Sequence, residues 1–432
     1  MIKNILKYIV IKIIRLEAKL TLLRYRPKII AISGTVGKTT TKDMVFQAAS
    51  SELKVRKTQK SLNSEIGIPL TILNQKTGWT NFFSWLKIIL IGAKNIIYTK
   101  NYPKWLVIET GVDRPGDMDR QAKFLKPYIV IITAFGKVPA HVEYFESPED
   151  VMKEEAKLMN HINPQGALIL NADDPDVLKL KSKSKVKTFT FGIENQEADI
   201  TASNSDIIYP GPTGISFKIN DEGNVIPIII KGVLGNQYIY PALISMLVGK
   251  FLGISQTTIA SQINRYKASP GRMNIIKGKN DSIILDDTYN SSPIALQNAI
   301  SVLANLKCDG NKIAILGDML EIGRFSHKEH LHAGELVAKN KIDYLVTVGI
   351  RAEEIGKSAN EFGLKKKRIF ILKDFKEATE IIKNLIEEKP NNLILVKASQ
   401  GIRLEKVVKE IMQEPQKADE LLVRQEKEWL DR

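Results

Sequence analysis

A buried strand that runs through a glycine loop into a helix is the feature that most constrains the fold of this chain. Residues 28–33 (KIIAIS) have the apolar, β-branched composition of a buried strand. The loop GTVGKTT (34–40) follows, and the residues after it have a helical pattern. In this context the loop is predicted to bind phosphate, because glycines let backbone N–H groups approach phosphate oxygens and the helix N-terminus adds partial positive charge. The predicted nucleotide contacts are Gly34, Thr35, Val36, Gly37, Lys38, Thr39 and Thr40.

Two side chains of the loop have predicted roles. Lys38 can reach the terminal phosphates of a nucleotide, and the Thr39 hydroxyl can ligate Mg²⁺. The usual longer pattern has a glycine where Ile32 stands, so this loop is a shortened variant. The alternative is that the loop is only a turn between a strand and a helix. Such a turn does not require the Gly-Lys-Thr sequence, so its presence favours nucleotide binding.

The rest of the chain alternates strands and helices. Buried strands are predicted at 105–110, 128–135 and 167–172, with helices between strands, for example over Pro148–Asn160. Such alternation predicts a mostly parallel sheet covered by helices. Residues 186–232 change to short strands joined by turn residues, which predicts a small antiparallel sheet, and Leu234–Ile254 is predicted to be a helix.

A break at 269–272 (SPGR) precedes a second α/β unit. The predicted fold is therefore α/β: a central P-loop domain with a mostly parallel sheet plus a small antiparallel sheet, followed by a Rossmann-like C-terminal domain. The predicted bounds are 1–28 for an N-terminal helix, 29–267 for the central domain and 268–432 for the C-terminal domain. The tail from about Lys406 is expected to be a solvated helix with an apolar face of Leu421, Leu422 and Trp429. The strands of the second unit are predicted at 282–289, 312–318, 344–349, 368–372 and 392–399.

The first 28 residues are predicted to form a basic amphipathic helix. Its basic residues (Lys3, Lys7, Lys12, Arg15 and Lys19) recur every three to five positions, and its apolar residues (Ile5, Leu6, Ile9, Ile13, Leu16 and Leu20) fall mostly on the other side. The helix lies either in a membrane interface or against its own protein or a partner. No small-residue cleavage site follows it, and no stretch reaches the roughly 20 uncharged apolar residues of a spanning helix. Residues 79–102 are also apolar and basic, and could extend the same surface.

Composition limits the class of partner. The 63 Lys+Arg against 48 Asp+Glu give a net charge of +15, which favours anionic partners such as nucleotides, nucleic acid or an anionic membrane. Nucleic-acid binding would rest on this charge alone, so it is not predicted. The single cysteine excludes a disulfide framework and a cysteine-based zinc site within the chain, and indicates reduced, intracellular chemistry.

Polar residues cluster where the predicted strands end. Glu109 ends the strand 105–110, and His141 follows the strand 128–135 by a short loop, so both could serve a metal ion beside the phosphate loop. Taken alone, Glu109 could equally be a surface carboxylate and His141 an ordinary loop histidine. In the second unit, the loops 286–293, 317–323 and 397–401 each follow a strand and indicate a ligand crevice, although Ser292 could simply cap the helix after Pro293.

The order and spacing of nine motifs resemble the Mur ligases, most closely the branch that adds D-alanyl-D-alanine to the UDP-MurNAc tripeptide. The motifs span roughly residues 29–410. They are SGTVGKTTTK (33–42), LNSEIGIPLTIL (62–73), VIETGVDRPGDM (107–118), AHVEYFESPEDV (140–151), LNADDP (170–175), PGRM (270–273), ILDDTYNSSP (284–293), ILGDMLEIGRFSHKEH (315–330) and LVKAS (395–399).

The resemblance implies an ATP-dependent amide ligase of peptidoglycan precursor synthesis. A substrate carboxylate takes the γ-phosphate of ATP, and an amine then attacks the resulting acyl phosphate. ATP and Mg²⁺ are the implied cofactors, and a MurNAc-peptide precursor and D-alanyl-D-alanine (or another amino substrate) are the implied partners of a cytoplasmic enzyme. The basic amphipathic pattern of residues 1–28, not the resemblance, adds a candidate peripheral contact with the inner face of the membrane. By resemblance, the catalytic residues are Lys38, Glu109 and His141, and the metal ligands are Thr39, Glu109 and His141. The further residues implied to contact ATP are Asn236, Arg272 and Asp287. The residues implied to contact the substrates are Asn63, Asn290, Ser292, Asp318, Lys397 and Ser399.

The sequence departs from the family pattern at several places. Only about 28 residues precede the first strand, where the family usually has a domain that holds the UDP end of the substrate, so a membrane-held or altered acceptor is an alternative. Glu155 aligns with a lysine that is carbamylated in some branches, and its carboxylate could replace the carbamate as a metal ligand. Gln400 stands where a substrate-facing arginine is usual, and Arg403 is a candidate replacement.

Two other functions are compatible with these patterns. The chain could join another amino acid or dipeptide to its acceptor, or it could be a membrane-associated P-loop ATPase without ligase activity. The three polar loops of the second unit favour a ligase, because a simple ATPase switch needs no second substrate-binding domain. A lipid-precursor amidating relative is disfavoured, since that type usually carries a four-cysteine zinc ribbon and this chain has one cysteine.

Overall fold

Two β-sheets organise the chain, and they confirm the predicted α/β class. The structure is a computed structural model that describes residues 2–59, 63–78, 81–139, 141–208 and 213–430. The first sheet has nine strands in the order β2-β3-β1-β4-β5-β6-β7-β8-β9. Its strands are β1 (Lys28–Ser33), β2 (Val55–Lys57), β3 (Trp105–Glu109), β4 (Ile129–Ile132), β5 (Ala167–Asn171), β6 (Lys187–Gly192), β7 (Ile200–Ile208), β8 (Gly214–Asp221) and β9 (Asn224–Lys231).

Strand β1 lies in the parallel part of this sheet, between β3 and β4. Ile32 pairs with Glu109 on one side and Ile131 on the other, so the ends of three strands meet where the glycine loop begins. Residues 29–33 are all buried, as expected for a strand covered by helices on both faces. The register therefore brings Glu109 next to the phosphate loop.

The small antiparallel sheet predicted over 186–232 is continuous with the large sheet, and its antiparallel part begins at β7. Strand β6 pairs with β5 in parallel, and β7 begins parallel to β6 with Phe191 opposite Ile200. In this sheet only the β7–β8 and β8–β9 pairs are antiparallel, and these three strands form the end of the large sheet. Glu222 and Gly223 both have positive φ, the two-residue turn that joins tightly paired strands. Residues 209–212 of the strand predicted there lie outside the described residues.

Nine helices are described in this part of the chain. Helix α2 follows the glycine loop and packs against α8, which begins after a short 3₁₀ turn within the predicted helix 234–254. The helix predicted at 148–160 is α6, capped by Ser147, and continues as a 3₁₀ segment, Lys157–His161. The helices are α1 (Ile2–Tyr25), α2 (Lys38–Ala49), α3 (Gly67–Leu73), α4 (Phe82–Tyr98), α5 (Asp117–Leu125), α6 (Pro148–Ala156), α7 (Pro175–Leu178), α8 (Ile239–Phe251) and α9 (Gln256–Asn264).

Helix α1 has one packed face and one exposed face. Ile14, Ala18 and Thr21 are buried where α1 contacts α3 and α4. The predicted apolar side is exposed at Ile9, Ile13, Leu16 and Leu20. No helix in the described ranges combines the length and the apolarity that crossing a bilayer requires.

The second sheet has six strands in the order β10-β11-β15-β12-β13-β14. All neighbours are parallel except β10 and β11. We call this sheet with its helices the C-terminal lobe, and the nine-stranded sheet with its helices the central lobe. The predicted boundary at 267/268 stays a prediction, and the two sheets lie on either side of it. The elements are β10 (Asn274–Lys277), β11 (Ile283–Asp287), α10 (Pro293–Asn305), β12 (Lys312–Gly317), α11 (Ser326–Lys339), β13 (Tyr344–Val348), α12 (Glu353–Glu361), β14 (Ile369–Leu372), α13 (Phe375–Glu388), β15 (Leu393–Lys397), α14 (Glu405–Ile411), α15 (Ala418–Leu421) and α16 (Lys427–Leu430).

The charged tail is part of the C-terminal lobe, not the single solvated helix expected from the sequence. It is divided into α14, α15 and α16, and Leu422 is buried. Arg424 pairs with the buried Glu405 at 2.9 Å and donates to the carbonyl oxygens of Thr288 (2.6 Å) and Tyr289 (3.1 Å). These bonds tie the tail to the loop after β11.

Candidate active site

A large cavity of about 1730 Å³ lies between the two lobes. It is bordered by the glycine loop, the end of β3, the loop after β11, and helices α1 and α10. The carboxyl ends of parallel strands are where ligands bind in open α/β sheets. The predicted site residues that line the cavity are Thr35, Val36, Gly37, Lys38, Thr39, Thr40, Asn63, Glu109, His141, Asn236, Arg272, Asp287, Asn290, Ser292 and Lys397.

The glycine loop is shaped by the end of β4. Gly34 has a φ of +123°, and a Cβ there would overlap the Thr133 hydroxyl and press on the Ala134 carbonyl oxygen. Thr35 N–H donates to that carbonyl at 2.7 Å, and the Thr133 hydroxyl donates to the Val36 carbonyl at 2.6 Å. Only glycine fits this approach without moving the backbone. Gly34 therefore does not line the cavity itself but sets the path of the loop.

Lys38 and Thr39 begin helix α2. The Lys38 ammonium donates to the Gly34 carbonyl, which holds it across the loop. The Thr39 hydroxyl donates to Glu109 Oε1 at 3.3 Å and accepts from Arg272 Nη2 at 3.1 Å. One hydroxyl thus connects the phosphate loop, the end of β3 and the start of the C-terminal lobe.

Glu109 is the centre of a buried polar cluster. Besides Thr39, its Oε1 accepts from Asn63 Nδ2 at 3.4 Å. Its Oε2 lies 3.4 Å from the Lys42 ammonium, which is also 3.6 Å from Asp43 Oδ1. Burial favours a raised pKa for Asp43, but the ammonium groups of Lys42 and Lys57 outweigh it and lower the pKa. Sequence reasoning missed Lys42, although KTTTK (38–42) places it one helical turn beyond Lys38.

The residues around the loop fit a magnesium ion. Within the described ranges, no three His, Cys, Asp or Glu side chains lie close enough to enclose a metal. Mg²⁺ is commonly held by one or two protein oxygens together with waters and substrate phosphates. The adjacent oxygens of Thr39 and Glu109 match this requirement beside a phosphate loop.

Glu155 lies beneath the loop and does not line the cavity. Its Oε2 accepts from the Gly34 N–H at 3.2 Å and from the Ser33 hydroxyl. Burial raises the pKa of this carboxyl, while the Lys38 charge and the bond from Ser33 oppose the rise. Its role as a metal ligand stays a prediction, and the contacts show that it supports the loop from within.

His141 connects the two lobes. Its Nδ1 lies 2.9 Å from Glu321 Oε2 in the C-terminal lobe, and its Nε2 lies 4.0 Å from Asp113 Oδ1. The hydrogen bond from His141 lowers the pKa of Glu321. Beside it, Arg324 Nη2 donates to the Glu146 carbonyl at 2.8 Å. Glu321 was not singled out from the sequence, although the predicted loop 317–323 contains it; the metal role of His141 stays a prediction.

Arg272 and Asp287 line the cavity from the C-terminal side. The Arg272 guanidinium lies 3.8 Å from the centre of the Tyr289 ring and reaches Thr39. Asp287 Oδ2 pairs with the buried Lys397 ammonium at 2.6 Å, and that ammonium also donates to the Asn290 carbonyl at 2.9 Å. The Arg272 cation is thus held beside Thr39, whereas the Lys397 cation is held by residues of its own lobe.

Three polar residues of the C-terminal lobe have structural contacts. Asp318 Oδ1 accepts from Ala352 N–H at 2.7 Å, and Ser399 Oγ accepts from Leu320 N–H at 2.9 Å. Neither Asp318 nor Ser399 lines the cavity, so their substrate contacts stay predictions. Arg403 forms an ion pair with Glu405 and donates a hydrogen bond to the Trp429 carbonyl. These contacts do not favour Arg403 as the replacement for the arginine that the family usually has at position 400.

Comparison with known proteins gives one consistent family. Residues 32–84 and 91–249 match the Mur ligase middle domain, and residues 271–400 match the Mur ligase glutamate ligase domain. The UDP-N-acetylmuramoyl-tripeptide–D-alanyl-D-alanine ligase of Bacillus subtilis is 27% identical over 400 residues, covering 92% of this chain and 79% of that protein. The Escherichia coli ligase of the same name is 25% identical over 390 residues, covering 89% and 77%.

Solved structures agree with the sequence matches. MurF from Thermotoga maritima in complex with ADP has a TM-score of 0.74 at 25% identity, covering 94% of this chain and 84% of that one. MurF from Acinetobacter baumannii has a TM-score of 0.76 at 23% identity, covering 92% and 79%, and shows the shared fold. Mur ligases are ATP-dependent amide ligases that use ATP with Mg²⁺. The matched regions span most of the sequence and include the glycine loop and the loop after β11, and the chain therefore belongs to the Mur ligase family.

Proposed function

We propose that this ligase adds D-alanyl-D-alanine to a UDP-MurNAc tripeptide in peptidoglycan synthesis. The names of the curated relatives support this reaction, and the chain covers more than three quarters of the Bacillus subtilis and Escherichia coli proteins. The observation that carries the proposal is the single cavity in which Lys38, Thr39 and Glu109 of the central lobe face Arg272 and residues of the loop after β11.

The reaction needs two bond-forming steps. A carboxylate oxygen of the tripeptide attacks the γ-phosphorus of ATP, and ADP leaves, which gives an acyl phosphate. The amine nitrogen of D-alanyl-D-alanine then attacks the acyl carbon, loses a proton, and phosphate leaves. Both steps bring anions together, so positioning and charge neutralisation are what the protein has to supply.

In this proposal the phosphate end of the cavity neutralises charge. The Lys38 ammonium is held at the Gly34 carbonyl and the Arg272 guanidinium at the Thr39 hydroxyl, and both are assigned to the phosphates of ATP. Thr39 and Glu109 would hold Mg²⁺, which would supply further neutralisation when bound. Lys42 keeps the Glu109 carboxylate in place from its other oxygen.

The roles of His141 and Glu155 extend the proposal. His141 is assigned as a further metal ligand, and its bond to Glu321 would hold the two lobes together at this residue. Glu155 lies within the influence of both Lys38 and His141, which supports a role for its carboxylate in the charge balance beneath the loop.

The peptide substrates are assigned to the remaining walls of the cavity. Asn63 lies beside Glu109 and is assigned to the acceptor peptide. Asn290 and Ser292, after β11, and Lys397, at the end of β15, are assigned to the incoming dipeptide. Asp318 and Ser399 are assigned to the same dipeptide region through the loop backbones that they hold.

Product formation tests the reaction directly. Purified chain is given ATP, Mg²⁺ and UDP-MurNAc tripeptide with D-alanyl-D-alanine or with single amino acids, and phosphate release is compared with the joined product by mass spectrometry. We expect joining with the dipeptide, and loss of joining in Glu109→Gln, while Glu335→Gln on the exposed face of α11 serves as the matched control. Phosphate release without any joined product would reject the proposed ligation.

We infer in addition that the enzyme is cytoplasmic and contacts the inner membrane face peripherally through residues 1–28. The exposed apolar positions of α1 support this contact. The lysine residues of α1 would be attracted to the anionic lipids of the inner leaflet.

A further inference from the structure

Most of the strongly exposed large apolar side chains of the described residues lie on two helices, α1 and α4. Elsewhere such side chains are scattered singly, as is normal for a protein surface. On these helices they include Leu23 at 62%, Leu90 at 63% and Phe83 at 77% exposure. The set is Tyr8, Ile9, Ile13, Leu16, Leu20 and Leu23 on α1, and Phe83, Leu86, Leu90, Ile97 and Tyr98 on α4.

The exposed side chains form a stripe on each helix. On α1 the spacing over 9, 13, 16, 20 and 23 alternates between four and three residues, and α4 repeats it over 83, 86 and 90 and again at 97. That spacing keeps side chains on one face of a helix. A face of this kind is normally buried in a core, so its exposure on two helices marks an interaction surface.

The two helices are packed together through other faces. Tyr25 OH donates to the carbonyls of Asn95 and Ile96, and Arg24 Nη2 donates to the Ile97 carbonyl at 3.2 Å. Gly92 leaves room for Glu17 between the helices, because a Cβ at position 92 would overlap its carboxylate. The stripes are therefore not needed for packing α1 against α4 and lie on neighbouring helices.

The charged side chains that α1 and α4 expose to solvent are all basic. Glu17 is the only acidic residue in the sequence of α1 and α4, and it is buried between them. Basic residues are exposed beside both stripes. They are Lys12, Lys19 and Arg24 on α1, and Lys87 and Lys94 on α4.

We propose that α1 and α4 together form a docking surface for an anionic lipid bilayer. The proposal rests on the membrane contact inferred above and deepens it, because it makes α4 an equal part of the surface and anionic headgroups the chemistry that is recognised. The apolar stripes enter the boundary between headgroups and acyl chains, and the lysines contact lipid phosphates. A second copy of the chain fits this surface less well, since self-association would bring like charges together.

The experiment is flotation of the full chain with vesicles of phosphatidylcholine, with and without phosphatidylglycerol. Leu16→Asn with Leu20→Asn tests the α1 stripe, and Leu86→Asn with Leu90→Asn tests the α4 stripe. Ile350→Asn is the matched control, because Ile350 is exposed but lies in the C-terminal lobe. Circular dichroism and ligation of the soluble substrates confirm that each variant is folded.

We expect binding that depends on phosphatidylglycerol and falls roughly tenfold or more in either stripe variant, with no change in Ile350→Asn. Removing two basic charges with Lys87→Gln and Lys94→Gln should also weaken binding about tenfold or more, whereas Lys183→Gln with Lys185→Gln should not. The proposal is overturned if α4 variants bind like the parent, if neutral vesicles bind equally well, or if the stripe variants only convert a dimer to a monomer in light scattering. If only the α1 variants lost vesicle binding, the two-helix surface would be overturned, but the proposed membrane contact through residues 1–28 would stand. Ligase activity is measured in a separate assay, so failure of the proposed reaction can be told apart from failure of membrane binding.

Discussion

Replacing Lys42 by methionine should disturb both the stability of the central lobe and the use of magnesium. Lys42 is almost fully buried, and its ammonium lies 3.4 Å from Glu109 Oε2 and 3.6 Å from Asp43 Oδ1. Methionine keeps much of the apolar length of the side chain but removes the charge. Two buried carboxylates would then lose the same cation.

The expected magnitude follows from burial. Removing one partner of a buried ion pair costs about 3–5 kcal/mol, because the remaining charge is left in a poorly solvating site. Lys57→Met is the matched control. Lys57 pairs with the same Asp43 at 2.8 Å, but its side chain is 33% exposed and it does not contact Glu109, so about 1 kcal/mol is expected.

The assay is urea unfolding followed by tryptophan fluorescence, together with the Mg²⁺ dependence of phosphate release. We expect Lys42→Met to lower the free energy of unfolding and to raise the Mg²⁺ concentration needed for half-maximal rate, because Glu109 loses the group that orients it. Lys57→Met should change the Mg²⁺ requirement little. Equal stability and equal Mg²⁺ dependence in the two variants would refute the assignment of Lys42 as the residue that positions Glu109.

Three further outcomes follow from individual contacts. Gly34→Ala should abolish detectable nucleotide binding by calorimetry while the far-ultraviolet spectrum is kept, because the new Cβ overlaps the Thr133 hydroxyl; normal binding would contradict the tight loop. Burial raises the pKa of Glu17 from 4.5 to about 7, so the folded state keeps a proton that the unfolded state has already lost between these pH values. The parent should therefore lose stability as pH rises from 4.5 to about 7 and change little above it. Glu17→Gln should not show this loss and should be more stable than the parent above pH 7 by about 1–2 kcal/mol, which melting temperatures at several pH values will check. Glu321→Gln should lower kcat severalfold with nucleotide affinity retained, since it weakens the bond to His141 between the lobes; unchanged kcat would mean that this bond does not limit closure.

Local pattern was enough to predict the phosphate loop and the ends of the strands around it. A parallel sheet brings strand ends together, so Thr39 and Glu109 could be expected near each other once the strands had been located. The sequence also shows Lys42 one turn beyond Lys38, but it does not show which carboxylate the ammonium meets. That pairing depends on the register of β1 with β3, which is a property of the folded sheet.

Contacts between distant segments could not be obtained from pattern alone. His141 and Glu321 are far apart in sequence, and each appears there as an isolated polar residue in a loop. The same limit explains the tail, where Arg424 finds Glu405 and the loop after β11 only because the C-terminal lobe is already folded. The continuation of β7–β9 into the large sheet similarly depends on the two pairs that join β6 and β7.

Helix α1 takes part in two surfaces at once. Ile11 and Arg15 line the cavity, and Arg15 is held there by Glu65 at 2.8 Å and by the Phe124 ring, while the apolar stripe points to the exterior. The same helix therefore forms part of the cavity wall and part of the exposed apolar surface. A contact or substitution that displaces α1 on its exterior face would also displace Ile11 and Arg15 in that wall.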